Sequence, residues 1–126
     1  MPIVLWVALG GAVGASGRYL VGVWATRLLG HGFPYGTLCV NVLGCFLMGI
    51  IVEAAALKFS MGQELRAFLT TGVLGGFTTF SAFALDFAVL TERKATLLAW
   101  GYLGASVVLS VLALFAGLWL VKAVLQ

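Results

Sequence analysis

The third hydrophobic segment of the chain contains a run of residues that is unfavourable inside a helix. Gly75-Gly76-Phe77-Thr78-Thr79 joins a glycine pair to two β-branched threonines, and both residue types weaken a helix interior. If the helix breaks there, several backbone carbonyls lose their donors, and such oxygens suit a small cation. The half-helix that resumes near Thr79 would present N–H groups and the positive end of its dipole. The alternative is a continuous helix, in which the glycines allow close packing and the threonines bond back to their own turn.

Two phenylalanines follow this run at helical spacing. Phe80 and Phe83 are three residues apart and therefore lie on one face of a helix. The edge of an aromatic ring carries partial positive charge, so two ring edges could hold a passing anion weakly. Packing and lipid contact are the ordinary roles of phenylalanine in a membrane helix, and the spacing is compatible with them as well.

Polar side chains also occur in the second and fourth hydrophobic segments. The amide of Asn41 can donate to an anion near a pore mouth or bond a neighbouring helix. Tyr102, Ser106 and Ser110 recur every four residues and form one stripe of hydroxyls. Such a stripe could replace successive water molecules around an anion, or could bond its own backbone and join helices.

The remaining reactive residue types predict little chemistry. Arg18 is the deepest basic residue, about 22 Å of helical rise from Ile3. We expect it to anchor the span; capping of another helix and attraction of anions are the alternatives. His31 is the only histidine, it lies in a Gly/Pro turn, and no cofactor fingerprint accompanies it. We therefore do not expect an enzyme.

The composition predicts the elements that must position these residues. The chain has 126 residues, of which 63% are hydrophobic and 9% charged, with a mean hydropathy of +1.16. A helix needs about 20 apolar residues to cross a bilayer, and four runs qualify, at about 3–24, 37–57, 65–90 and 95–121. We expect one integral membrane domain over 1–126. It would be an all-α, multi-pass protein of the cell (inner or plasma) membrane, with its third helix broken in mid-membrane near 75–79.

The N-terminal apolar run and the distribution of charge bear on how the chain inserts. No basic residue precedes the first apolar run, so we expect a retained span and not a signal peptide. The net charge is +3, but the basic residues are scattered singly, which does not indicate nucleic-acid binding. On the side of the termini lie Lys58, Arg66 and Lys122, and on the other side lie Arg27, Arg93 and Lys94. This balance permits insertion in both orientations and hence an antiparallel homodimer. The alternative is a single orientation that Arg18 or other factors decide.

Three ordered motifs resemble one known family. Gly75-Gly76-Phe77-Thr78-Thr79-Phe80-Ser81-x-Phe83 resembles the third-span signature of the Fluc (CrcB) family of fluoride channels. Gly36-Thr37-Leu38-x-Val40-Asn41-x-x-Gly44 resembles the second-span motif of that family. Gly10-Gly11-x-x-Gly14-Ala15-x-x-Arg18-Tyr19 resembles the first-span motif. Length, number of spans and motif order agree over essentially the whole chain.

The resemblance implies an architecture and a function. It implies a dual-topology homodimer with two antiparallel pores, which passively exports fluoride across the membrane. It also implies a structural sodium ion on the dimer axis, held by the backbone carbonyls of Gly75 and Thr78 from both copies.

The resemblance further implies a fluoride path and some departures from the family pattern. The residues implied along the path are Asn41, Thr79, Phe80, Ser81, Phe83, Tyr102, Ser106 and Ser110. Ala82 and Ala84 stand where family members often carry hydroxyl residues, and the role of Asp86, one turn beyond, is left open.

Two rival functions are weaker. A small dual-topology multidrug antiporter also has four spans, but it requires a carboxylate in the first span. The acidic residues of this chain are Glu53, Glu64, Asp86 and Glu92, all at later segment ends or in loops. A non-transporting scaffold has no feature in its favour, because polar groups at membrane depth cost stability.

Overall fold

The computed structural model describes residues 2–30, 32–57 and 61–125. Within these ranges the chain is helical and contains no strand. His31 of the first loop and Lys58 of the charge count lie outside the described residues.

The described residues form four helical stretches, and the third is composite. The helices are α1 (Ile3–Leu29), α2 (Tyr35–Leu57), α3 (Gln63–Arg66), a π-helix (Ala67–Leu74), α4 (Gly75–Phe77), α5 (Phe80–Glu92) and α6 (Thr96–Leu125). The segment from α3 to α5 counts as one stretch, and each of the four is long and apolar enough to cross a membrane. The predicted all-helical, multi-pass membrane protein is therefore confirmed.

The helices extend beyond the apolar runs that the sequence marks as spans. Helix α1 continues past residue 24 and ends where Gly30 adopts a φ of 85°, with its N–H donating to the Thr26 carbonyl at 2.9 Å. Hydropathy marks only the part of a helix in contact with hydrocarbon, whereas backbone hydrogen bonding continues until a residue breaks it. Between α5 and α6 the chain turns through Lys94, which has a φ of 62°.

Glycines bring α1 directly against the third stretch. Gly10 and Gly14 are buried, and a Cβ on Gly10 would lie 2.9 Å from the Cα of Gly72 in the π-helix. A Cβ on Gly14 would collide with the carbonyl of Val73. Close backbone approach of this kind supplies the van der Waals contact that associates helices in lipid.

Glycines serve the same purpose between α2 and α6, which form the most extensive helix pair. A Cβ on Gly49 would collide with the Leu114 carbonyl, and a Cβ on Gly117 would lie 2.9 Å from the backbone nitrogen of Ile50. The two glycine contacts thus fix α1 on the third stretch and α2 on α6.

Many large apolar side chains are exposed on the outside of the molecule, as expected for a protein surrounded by lipid. Leu28, Leu97 and Trp119 are examples, and all three are more than two-thirds exposed. By contrast, Tyr102 and Val40 are almost completely buried. The interior is therefore narrow, and the polar groups inside it require partners within the protein.

The Gly14 contact gives a prediction about stability. Gly14→Ala places a methyl group against the Val73 carbonyl, and we expect a loss of about 1–3 kcal/mol from the resulting overpacking. Gly11→Ala is the matched control, since a Cβ there meets nothing within 4 Å. The midpoint temperature of each purified variant, measured by loss of the folded peak in detergent, should fall only for Gly14→Ala. Equal midpoints for the two variants would show that this contact is not tight.

Candidate functional site

Two residues with extended backbone separate α4 from α5. Thr78 has φ −87° and ψ 158°, and Thr79 has φ −153° and ψ 125°. Upstream of them, the π-helix widens the turn between Ala67 and Leu74. Helix α4 therefore ends at Phe77 and α5 begins at Phe80, so that the interruption lies inside the run that the sequence singled out.

Asn41 bonds both backbone groups of Thr79. The Asn41 Nδ2 donates to the Thr79 carbonyl at 3.0 Å, and the Thr79 N–H donates to the Asn41 Oδ1 at 2.7 Å. The side-chain amide thus exchanges two hydrogen bonds with one residue, as the opposite residue of an antiparallel β-strand would. Of the two roles left open for Asn41, bonding a neighbouring helical segment is the one that these contacts supply.

The hydroxyl of Thr79 caps the following helix. Its Oγ1 accepts from the Ala82 N–H at 3.1 Å and lies 3.3 Å from the Ser81 Oγ. This is a standard N-cap, which satisfies one of the free donors at the start of α5. The Thr78 hydroxyl instead bonds backward, donating to the Leu74 carbonyl at 3.0 Å.

These side-chain bonds replace two helical ones. In an unbroken α-helix the Thr79 N–H would donate to the carbonyl of Gly75, and the Ala82 N–H to the carbonyl of Thr78. In the structure those donors go to Asn41 and to the Thr79 hydroxyl. The carbonyls of Gly75 and Thr78, the two proposed as cation ligands, therefore lack their helical donors.

Arg18 bonds the carbonyl of Gly76, which lies between Gly75 and Thr78 in the sequence. The Arg18 Nε donates to the carbonyl of Gly76 at 3.1 Å. In an unbroken helix that carbonyl would accept from Phe80. Arg18 of α1 thus caps the end of α4, where a positive charge also opposes the negative end of a helix dipole.

Three aromatic rings pack against one another next to the interruption, in edge-on or tilted pairs. The centroids of Phe80 and Phe83 are 5.5 Å apart at 60°, and those of Phe83 and Tyr102 are 5.2 Å apart at 51°. Phe83 is 8% exposed, whereas Phe80 is 79% exposed in the single chain. The two phenylalanines lie together as their spacing predicts, but only one of them is enclosed.

The hydroxyl stripe of α6 differs along its length. The Tyr102 hydroxyl donates to the Asp86 Oδ2 at 3.2 Å. Ser106 is buried and its Oγ has no hydrogen-bond partner within the described part of the chain, while Ser110 is half-buried. An unpartnered buried hydroxyl requires an explanation, such as a ligand that it bonds.

One cavity of about 350 Å³ collects most of the predicted path. The path residues on its wall are Asn41, Thr79, Phe80, Phe83, Ser106 and Ser110. Thr78 and Cys45 line it as well. Gly75, Ser81 and Tyr102 do not, although Tyr102 is in contact with Phe83 from behind. A second cavity, of about 520 Å³, is lined by Arg18 and shares the Thr79 wall.

Sequence reasoning missed two contacts of the site. Gly44 lies directly beneath the Thr78 methyl group, where a Cβ would collide with it, so that Gly44 makes room for the interruption. Asp86 pairs with Tyr102. Asp86 lies three residues, or one turn, after Phe83, and this spacing was the signal that could have placed its carboxylate on the same face.

The fold and the site define a class of protein. It is a small multi-pass membrane protein whose polar and aromatic groups line a cavity beside an interrupted helix. Residues 5–118 match the family described as CrcB-like protein, Camphor Resistance (CrcB). The chain therefore belongs to the CrcB family, and the resemblance drawn from its motifs is confirmed.

Relatives in this family match the chain over nearly their full length. A protein from Chelativorans sp. (strain BNC1) is 57% identical over 122 residues, which is 97% of this chain and 98% of the relative. One from Agrobacterium fabrum is 56% identical over 112 residues, covering 89% and 90%. One from Rhizobium etli is 54% identical over 119 residues, covering 94% and 95%. All three are named Fluoride-specific ion channel FluC. Ion channels are not enzymes, which agrees with the expectation from the sequence.

The Asn41 contacts predict a structural role that can be measured. Asn41→Leu leaves the N–H and the carbonyl of Thr79 without these partners, and each unpaired group costs about 1–3 kcal/mol. We expect a clear drop in the midpoint temperature of the detergent-solubilised protein. Ser81→Ala is the control, since it removes only the 3.3 Å contact with the Thr79 hydroxyl. If both variants have the same midpoint temperature as the unmodified chain, the role assigned to Asn41 is wrong.

Proposed function

We propose that this protein is a fluoride-selective channel, which exports fluoride passively and so lowers its concentration in the cytoplasm. The observation that carries the proposal is the cavity where Phe80, Phe83, Ser106 and Ser110 meet, in a chain 57% identical to a relative named as a fluoride-specific channel. The membrane would be the cell (inner or plasma) membrane.

The cavity offers what a small, strongly hydrated anion needs when it leaves water. The hydroxyls of Ser106 and Ser110 can donate hydrogen bonds, and the edges of Phe80 and Phe83 carry partial positive charge. Neither group is a full cation. An anion would therefore be held firmly enough to enter and weakly enough to leave, as conduction requires.

A multidrug antiporter is the weaker alternative. Proton-coupled transport of cations requires an acidic group in the first span, and α1 (Ile3–Leu29) contains no aspartate or glutamate. The long side chain that α1 sends into the molecule is that of Arg18, which is basic. A basic side chain at this position, in place of an acidic one, favours an anion pathway.

We propose that two copies assemble as an antiparallel homodimer with dual topology. Phe80 is 79% exposed in the single chain, so a second copy would enclose the ring edge that conduction needs. Gly75, five residues before Phe80, is also exposed and is a position where two backbones can approach closely. The even split of basic residues between the two sides supports insertion in both orientations.

A structural sodium ion on the two-fold axis fits the residues present. The carbonyls of Gly75 and Thr78 lack their helical donors, and carbonyl oxygens are hard ligands. Two copies related by a two-fold axis would supply four such oxygens. Bound there, the ion would hold the two interruptions together, and Arg18 would occupy the intervening Gly76 carbonyl.

Fluoride efflux from liposomes tests the proposal. Vesicles that contain the pure protein should release fluoride faster than empty vesicles, and should retain chloride. Phe80→Ile and Phe83→Ile should each slow efflux by about tenfold, because a ring-edge contact is worth up to about 1.5 kcal/mol.

Phe87→Ile is the matched control for these two variants. Phe87 lies one turn further along α5, packs on Trp100 with centroids 5.3 Å apart, and does not line the cavity. Absence of fluoride release from the unmodified protein would overturn the channel. Release at the normal rate from both ring variants would overturn the role of the rings and would leave the channel function standing.

The orientation of the chain can be measured separately. A protease-cleavable tag at the C-terminus should be cut from outside intact cells in about half of the molecules, since the charge balance gives no bias. The same tag should be cut completely after the membrane is permeabilised. Complete protection or complete cleavage in intact cells would mean a single orientation, and would rule out an antiparallel pair.

A further inference from the structure

The side-chain hydrogen bond between α5 and α6 joins Asp86 to the hydroxyl of Tyr102. The Tyr102 Oη lies 3.2 Å from the Asp86 Oδ2. The Tyr102 ring is completely buried between Phe33 and Phe83, at centroid distances of 5.4 and 5.2 Å. The position of the hydroxyl is therefore fixed by packing on both sides.

The chemistry of the pair decides which way the proton points. An ionised carboxylate is an acceptor only, and a tyrosine hydroxyl has one proton. Asp86 lines a cavity of about 250 Å³ at the loop end of the molecule together with Arg93, and its Oδ2 accepts the hydrogen bond from Tyr102. The proton of Tyr102 is therefore committed to Asp86, and its oxygen offers only lone pairs in other directions.

Ser106 lies one turn further along α6 and differs from Tyr102 in its hydrogen bonding. Its hydroxyl is buried, lines the cavity with Phe80 and Phe83, and has no hydrogen-bond partner among the residues that the structure describes. Its proton is free to be donated to an anion. The two hydroxyls lie on one stripe but differ in what they offer to a negative ion.

We propose that Asp86 is a positioning residue which, through Tyr102, determines where the donor stripe ends. By holding the Tyr102 proton, Asp86 leaves Ser106 and Ser110 as the α6 hydroxyls that can donate into the cavity, and makes the Tyr102 oxygen an acceptor one turn before Ser106 on the stripe. An anion that moves past Ser106 toward the Asp86 cavity loses its donors and is released. This inference rests on the proposed fluoride channel and adds to it a residue that sets the strength of anion binding.

The test is a double-mutant cycle on the fluoride concentration that gives half-maximal efflux. In an Asp86→Leu background the Tyr102 proton is released and can hold fluoride. Adding Tyr102→Phe should therefore raise the half-maximal concentration by ~10-fold, the value of one hydrogen bond of about 1.4 kcal/mol. With Asp86 present, Tyr102→Phe should change that concentration less than ~2-fold, because the proton is already committed. The comparison within each background removes the effect of the carboxylate charge.

Asp86→Asn separates the acceptor from the charge. Asparagine keeps a carbonyl oxygen that can accept from Tyr102 but carries no charge, so Tyr102→Phe should again have the small effect. An equal effect of Tyr102→Phe in all three backgrounds would overturn the inference while leaving the channel intact. Absence of fluoride efflux from the unmodified protein would overturn the channel itself.

A second comparison decides the matter if Asp86→Leu does not fold. In the otherwise unmodified chain, Ser106→Ala should raise the half-maximal concentration by ~10-fold, and more than Tyr102→Phe does. The reverse order would show that Tyr102 and not Ser106 donates to the anion, and would overturn the inference.

Discussion

The pairing of Asn41 with the backbone of Thr79 is the interaction on which the rest of the site depends. Lipid offers no hydrogen bonds, so a stretch of non-helical backbone is tolerated at membrane depth only where protein or water satisfies it. Asn41 supplies both a donor and an acceptor to Thr79, one of the two residues with extended backbone. By occupying the Thr79 N–H, it also removes the donor that would otherwise close the helix over the Gly75 carbonyl. The same side chain therefore stabilises the interruption and keeps it open.

Backbone contacts from two neighbouring helices hold the interruption in place. On one side α1 reaches it through Gly14 and Arg18, where the first contacts Val73 and the second caps Gly76. On the other side, α2 presents Gly44 beneath the Thr78 methyl group, one turn from Asn41. A glycine and a polar residue about one turn apart recur on both helices. The glycine allows the helix to lie close to the interruption. At that distance the polar side chain can form a hydrogen bond of about 3 Å with the backbone of the interruption.

Much of this could be predicted from the sequence, but not the partners of the polar groups. Hydropathy located four helical stretches, since apolar length is a local property. The spacing of Phe80 and Phe83 placed their rings together for the same reason. The π-helix (Ala67–Leu74) was not predicted, because no feature of its local sequence distinguishes it from an α-helix; it packs closely on α1 at Gly10 and Gly72. Asn41 was assigned to a pore mouth by resemblance, and only its distance from Thr79, set by helices far apart in the sequence, reveals the backbone contact.

The difference between Phe80 and Phe83 suggests why the site is built on an interrupted helix. In a continuous helix both rings would follow one face and pack against one neighbour. Here α5 begins at Phe80 itself, at the edge of the interruption, so that its ring projects from the first turn while Phe83 is covered by Tyr102. In the antiparallel pair proposed above, the second copy would enclose this exposed ring, and the proposed sodium ion would bind the Gly75 and Thr78 carbonyls of both copies. Under that proposal a single interruption supplies both the ring and the carbonyl oxygens to one interface, which is a reason for building the site on it.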